Sequence, residues 1–311
     1  MDPLNFQGLV AATVTPMDER GDINLEPIPR ALDYLERTGV VGIYVLGSTG
    51  EGMLLTDDER REVAAEYVRH AKGRFKIVVQ VGHNSMRVSA ELAAHAESLG
   101  VDAVSATPPG YFKPGSETGL VEAIREIVDA APATPFYYYH IPFLSGVVID
   151  PMQFTVIAMD RLPTFVGIKY SDGATLHNLP LLQRAAPGLE FLSGSDEAYL
   201  QGIAQGYKAA VGSTYNYAAP IYHRVREAFE AGRCDEAREW QGRAMRMIDT
   251  ILSTCGRAGL KAMMGMVGVD CGPARRPIEP ATREQVATLR KELTNMGWFE
   301  WVGLEAEAAV R

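Results

Sequence analysis

The sequence predicts a (β/α)8 TIM barrel of the α/β class, with a C-terminal helical extension. Three observations carry that expectation. Short β-branched runs alternate with helical patterns through roughly eight units, which marks a parallel sheet and, at this count, a closed barrel. The 311 residues, 47% hydrophobic and 22% charged, supply ample core, and barrels of this kind reach such a length as one unit. The open doubly wound sheet is the main alternative. It is disfavoured because no glycine-rich dinucleotide turn follows the first strand.

Taken in order, Leu9–Thr15 reads as a strand and Glu26–Arg37 as a helix. Val40–Leu46 is the next strand. Thr56 and Glu59 then form a capping box that opens a helix to about Lys72. Phe75–Val81 and Val101–Ala106 are strands, each followed by a helix, Ser85–Leu99 and Glu117–Ala130. Pro135–Tyr139 is a strand with a shorter helix near Pro151–Met159 after it. Phe165–Lys169 and Leu189–Ser193 are strands, with helices around Leu176–Arg184 and from Glu197. Lys208–Ser213 is the last strand, with a helix to about Glu230. Beyond residue 232 the pattern is purely helical: Asp235–Thr254, a Met-rich segment Leu260–Val267, and a helix opened by the capping box Thr282–Gln285. Residues 1–232 are therefore expected to form the catalytic barrel and residues 233–311 a helical appendage packed on it.

A formal charge of -9 without a basic stripe argues against nucleic acid as a partner. No apolar run approaches the length of a membrane span. Cys234, Cys255 and Cys271 form no C-x-x-C pair, as expected of reduced thiols in a cytoplasmic protein. The first residues lack the basic region and apolar core of a signal peptide.

The chemistry of such a barrel sits where strands end and loops begin. At one such end an apolar run, Phe165 to Ile168, finishes in Lys169. A strand of that composition is buried on both faces, and lysine is rarely buried without a partner. An amine forced into such a place sheds its proton rather than bear the desolvation cost of the charge. A neutral, positioned amine is the nucleophile that forms Schiff bases with ketones. The plainer alternative is a lysine just past the strand end that reaches water.

Other strand ends supply partners. After the second strand, Ser48 and Thr49 lie between Gly47 and Gly50, and their hydroxyls and N–H groups can wrap a carboxylate; a simple polar turn is the alternative. Tyr111 lies in the proline-fixed loop Pro108–Pro114, as a site residue or a surface aromatic. Alternation puts Tyr137 and Tyr139 on one face of the fifth strand. A phenol near an imine can pass a proton, which makes Tyr139 an acid/base candidate. His140 is a second candidate base, although a histidine satisfied by backbone is commoner. After the seventh strand, Asp196 and Glu197 suit sugar hydroxyls, or cap a helix. The eighth strand runs into Ser213. No H-x-H, H-E-x-x-H or G-x-S-x-G pattern occurs, so neither a metal-dependent aldolase nor a serine hydrolase is indicated.

Gly47-Ser-Thr-Gly-Glu51, Tyr139-His-Ile-Pro142, Gly167-Ile-Lys169 and Gly212-Ser-Thr-Tyr-Asn216, in this order, resemble the dihydrodipicolinate synthase / N-acetylneuraminate lyase family of class I pyruvate aldolases. Ala11-Ala-Thr-Val-Thr-Pro16 fits the family's first strand, and the likeness extends to the C-terminal helices. The resemblance implies a homotetramer that needs no cofactor. It implies that Lys169 forms a Schiff base with pyruvate, that Tyr139 moves protons, and that Ser48 and Thr49, with the backbone around Gly50, hold the carboxylate. Tyr111 matches a family tyrosine that completes the site across a subunit contact.

The synthases carry an arginine where this chain has Leu144; here the chain is similar to the sialic acid lyases instead. In those lyases the positions of Gly194, Asp196, Glu197 and Ser213, with Ser171 nearby, bind the polyol part of the sugar. The implied reaction is reversible cleavage of N-acetylneuraminate to pyruvate and N-acetylmannosamine. Phe143 is bulkier than the family pattern, which bears on the exact sugar. The alternatives are a sister pyruvate aldolase or hydratase on the same scaffold, and a non-catalytic barrel that binds a keto acid.

Overall fold

The structure is a computed structural model that describes residues 1–305. Eight parallel strands close into a barrel in chain order. They are β1 (Gly8–Ala12), β2 (Gly42–Val45), β3 (Lys76–Gln80), β4 (Ala103–Ala106), β5 (Phe136–His140), β6 (Phe165–Tyr170), β7 (Glu190–Ser193) and β8 (Ala209–Gly212). The ring is sealed by β1 pairing with β8, Gly8 opposite Ala209. Closure removes the open-sheet alternative.

The helices are α1 (Ile28–Arg37), α2 (Asp57–Ala71), α3 (Met86–Leu99), α4 (Glu117–Ala130), α5 (Pro142–Ser145), α6 (Pro151–Arg161), α7 (Leu179–Ala185), α8 (Tyr199–Ala204) and α9 (Tyr215–Glu230). Four more follow the barrel: α10 (Cys234–Cys255), α11 (Gly259–Met266), α12 (Arg283–Asn295) and α13 (Trp298–Trp301). Both expected capping boxes form, Thr56 with Glu59 and Thr282 with Gln285. Three helices start later than their patterns suggest, α1 at Ile28 among them. Pro180 has no N–H and fits only a first helical turn, so α7 begins at Leu179 after a 3-10 stretch, Gly173–Asn178. Asp196–Ala198 is likewise a 3-10 turn ahead of α8.

Alternation along the strands divides the core in two. Val10, Tyr44, Val78, Tyr137, Tyr139 and Val211 fill the barrel. Ile43, Val79, Tyr138 and Ile168 face outward and pack beneath the helices. The helices after residue 232 join that outer core: Trp298 is fully buried and its Nε1 donates to Met247 Sδ on α10. Residues 306–311 of the expected appendage lie outside the described residues. Among the described residues no helix is long and apolar enough to cross a membrane.

One irregularity decides where Lys169 points. Phe136 pairs with Phe165, but Tyr137 pairs with Gly167, so Val166 is an extra residue in β6. Such a bulge shifts the alternation by one. Phe165 stays in the outer core and Val166 turns inward. Lys169, four residues beyond Phe165, would share its outward face in a regular strand. It is instead paired with Tyr139, on the inside. Gly167 is required there, because a Cβ would lie 2.1 Å from the Glu190 carbonyl oxygen and 2.8 Å from the Tyr137 ring. Gly167→Ala is expected to cost about 1–3 kcal/mol of stability, seen as a lower urea midpoint. An unchanged midpoint would show that the bulge has room for a side chain.

Candidate active site

A cavity of about 490 Å³ opens at the C-terminal ends of the strands. Lys169 projects into it from the next-to-last residue of β6. Its side chain is only 3% exposed, so the water-reaching alternative is removed. The Nζ atom lies 3.9 Å from the centroids of two rings, Tyr139 on β5 and Tyr44 on β2. Burial pushes the Lys169 ammonium below the usual lysine value of 10.5. The Tyr139 phenol and the Asp196 carboxylate oppose that push without overcoming it.

Other strand ends supply much of the rest of the wall. Ser48 and Thr49 follow β2 and line the cavity. Among the described residues the N–H groups of Ser48, Thr49 and Gly50 donate to no backbone carbonyl. Gly50 itself stands behind the turn, where its carbonyl accepts from Thr15 Oγ1 at 2.6 Å. Glu51 closes the turn in a left-handed conformation, φ 54°, and pairs with buried Lys261 of α11 at 2.6 Å.

After β7 and β8 the polar side chains are seated on glycines. A Cβ on Gly194 would lie 1.8 Å from Ser171 Oγ, and one on Gly212 1.7 Å from Asp196 Oδ1. Gly194 therefore makes room for Ser171, whose hydroxyl has no hydrogen-bond partner among the described residues. Asp196 is held by Thr214, whose N–H and Oγ1 donate to Oδ2 at 3.0 and 2.7 Å. Burial raises the pKa of Asp196, and that of Glu197 beside it, above the usual carboxylate values. Ser213 and Glu197 line the same cavity, as does Leu144, which is 49% exposed on α5.

Not every expected residue gathers there. Tyr111 is 77% exposed in the loop before α4, stacked edge-on against Phe112, and lines a neighbouring cavity of about 560 Å³. The two cavities share Ser48, Ile141, Leu144 and Arg257. His140 lies behind the barrel wall against Tyr170, and burial pushes its pKa down to about 4. It does not line the cavity that holds Lys169, so it is not placed to act as the base there. Tyr44 escapes the sequence reading, as do Ile248, Leu252, Arg257 and Leu260, which bring α10 and the start of α11 into the wall, while Thr214 is quoted in a motif there without a role. Thr214 stands beside a residue that was singled out; the others carry no local signal.

Residues 5–296 match the dihydrodipicolinate synthetase family. The chain belongs to that family. Its relatives include the N-acetylneuraminate lyase of Rattus norvegicus, 39% identical over 305 residues that cover 96% of this chain and 95% of the rat protein. The Homo sapiens N-acetylneuraminate lyase is 38% identical over the same shares. A solved structure of N-acetylneuramininate lyase (sialic acid aldolase) from Aliivibrio salmonicida matches with a TM-score of 0.90 at 36% identity, covering 94% of this chain and 97% of that one.

In this family member the Lys169 amine is set up to react as a free base. Burial favours the neutral form, so its acylation by a small uncharged reagent should rise with pH and level off at a midpoint below 10.5. A midpoint at or above 10.5, read by mass spectrometry of the Lys169 peptide, would mean that the amine is solvated.

Proposed function

We propose that this protein is a Schiff-base lyase that cleaves N-acetylneuraminate reversibly to pyruvate and N-acetylmannosamine. The observation that carries the reading is a neutral-leaning amine, Lys169, inside a cavity that also holds Tyr139 and the Ser48–Thr49 turn. The relatives named N-acetylneuraminate lyase support the choice of substrate.

The open-chain substrate places its carboxylate on Ser48 and Thr49 and its C2 ketone against Lys169 Nζ. The amine adds to C2, and water leaves to give an iminium. The C3–C4 bond then breaks, and its electron pair moves through C2 to the iminium nitrogen. Tyr139, aided by the substrate's own carboxylate, takes the proton from the C4 hydroxyl as that carbon becomes the aldehyde of N-acetylmannosamine. The enamine left on Lys169 is protonated at C3, and water hydrolyses it to pyruvate and free amine. Asp196, Glu197, Ser171 and Ser213 accept or donate hydrogen bonds to the sugar hydroxyls, with Leu144 beside them. Gly194 acts by leaving space. The working form is a homotetramer in the cytoplasm, where Tyr111 reaches the site of a neighbouring subunit.

Borohydride added with pyruvate should attach one pyruvate-derived group to Lys169, and Lys169→Ala should lose both the adduct and turnover. An unmodified lysine, or an active Lys169→Ala variant, would end the Schiff-base mechanism. A panel of keto acids scored by pyruvate release separates the sugar; no release from N-acetylneuraminate would favour a sister aldolase. Leu144→Arg, which sets a charge beside the polyol, should lower kcat/KM for N-acetylneuraminate about tenfold. Unaltered kinetics would place Leu144 outside the working site.

A further inference from the structure

We propose that Tyr44 is a further catalytic residue, whose ring face, together with that of Tyr139, holds positive charge on the Lys169 nitrogen as the iminium forms. The inference rests on the Schiff-base reading above and deepens it. Its basis is a clasp of two rings around one atom. Lys169 Nζ is 3.9 Å from each centroid, and the two rings meet edge-to-face at 5.6 Å and 77°. A cation over an aromatic face is attracted by the negative face of the ring quadrupole, and more strongly where water is excluded. Tyr44 is 1% exposed.

The ring is fixed in that pose. The Tyr44 hydroxyl donates to Ser105 Oγ on β4 at 2.9 Å. Its edge fills the space beneath the carboxylate turn, since a Cβ on Gly47 would sit 2.9 Å from the ring. One side chain thus touches the amine, the proton-transfer phenol and the turn. Burial raises the Tyr44 phenol well above its usual 10, so it stays protonated and is no base. What it offers the reaction is its face.

The chemistry needs that contribution at one step. The amine attacks as a neutral group; the nitrogen turns cationic when ketone, amine and a proton give iminium and water. The carboxylate that faces it, Asp196, is itself pushed toward its neutral form by burial. Aromatic faces stabilise the cationic state more than the neutral one, which is the difference that lowers a barrier.

Replacing Tyr44 by phenylalanine, then by 4-fluoro-, 3,5-difluoro- and 3,4,5-trifluorophenylalanine, weakens the face stepwise at nearly constant size. Circular dichroism checks folding of each. Tyr44→Phe keeps the ring face and removes only the hydroxyl bond to Ser105, so it is the reference against which the fluorinated rings are compared. Along the fluorinated series the yield of borohydride-trapped pyruvate adduct should fall several-fold. The midpoint for Lys169 acylation should fall by about one pH unit, because a weaker face favours earlier loss of the proton. A midpoint and adduct constant across the folded series would overturn the proposal and leave Tyr44 a packing residue. If the unaltered protein traps no pyruvate, the Schiff-base reading fails by itself; the acylation midpoint needs no pyruvate and still decides whether the ring acts on Lys169.

Discussion

The Lys169 amine lies buried between the rings of Tyr44 and Tyr139, and a charge there has lost its water. That loss is what tilts the group toward a nucleophile. The tilt depends on direction before it depends on surroundings. If the same residues ran as a regular strand with no bulge at Val166, alternation would place Lys169 on the outer face with Phe165, among the helices. The bulge turns it inward opposite Tyr139, and Gly167 lets the strand pass close to Glu190 and Tyr137. A backbone irregularity of one residue thus sets the geometry of the whole site.

Around that amine, several polar groups are positioned by absent side chains. Gly194 is the space that Ser171 Oγ occupies, Gly212 the space for the Asp196 carboxylate, and Gly47 the space for the Tyr44 ring. Each glycine has a steric role that a list of hydrogen-bonding residues would overlook. The turn itself is anchored from outside the barrel. Glu51 reaches Lys261, and Lys261 also donates to the Pro273 carbonyl at 2.9 Å. Removing one member of such a buried pair strands the other charge, so α11 and the turn are coupled. Arg257 adds a second tie, to the Ser48 carbonyl at 3.2 Å.

Much of this was legible in the sequence because the signals were local. Capping boxes at Thr56 and Thr282 act within one helical turn, and strand–helix alternation repeats along the chain. Residues at strand ends, Ser48, Tyr139, Lys169, Asp196 and Ser213, converge because closure brings those ends together. What escaped depends on contacts between distant segments. Tyr44 sits mid-strand and reads as core until β2 is set against β6. The bulge exists only as a mismatch between two strands. Leu252 and Leu260 look like ordinary helix faces, and only docking of α10 and α11 over the barrel mouth makes them wall. Tyr111 is the reverse case: its loop is readable, but within one chain it lines the neighbouring cavity and not the one that holds Lys169.

The two ends of the barrel show how the same ingredients yield stability or chemistry. At the closed end Tyr137 donates to Glu190 Oε2 at 2.5 Å, and the N-terminal segment completes the network. Leu4 N–H donates to the Tyr137 oxygen at 2.9 Å and Phe6 N–H to Glu190 Oε1 at 2.5 Å. The Lys76 ammonium caps the same segment through the Leu4 carbonyl. Tyr137, Glu190 and Lys76 there are each satisfied by protein partners. Two residues along β5, Tyr139 meets a lysine instead of a carboxylate, and no chain segment fills the space in front of it. The open end leaves polar groups with capacity: among the described residues the buried Ser171 hydroxyl has no partner and Lys169 forms no ion pair. Substrate that supplies a carboxylate, a ketone and hydroxyls meets at the open end the demand that the N-terminal segment meets at the closed one.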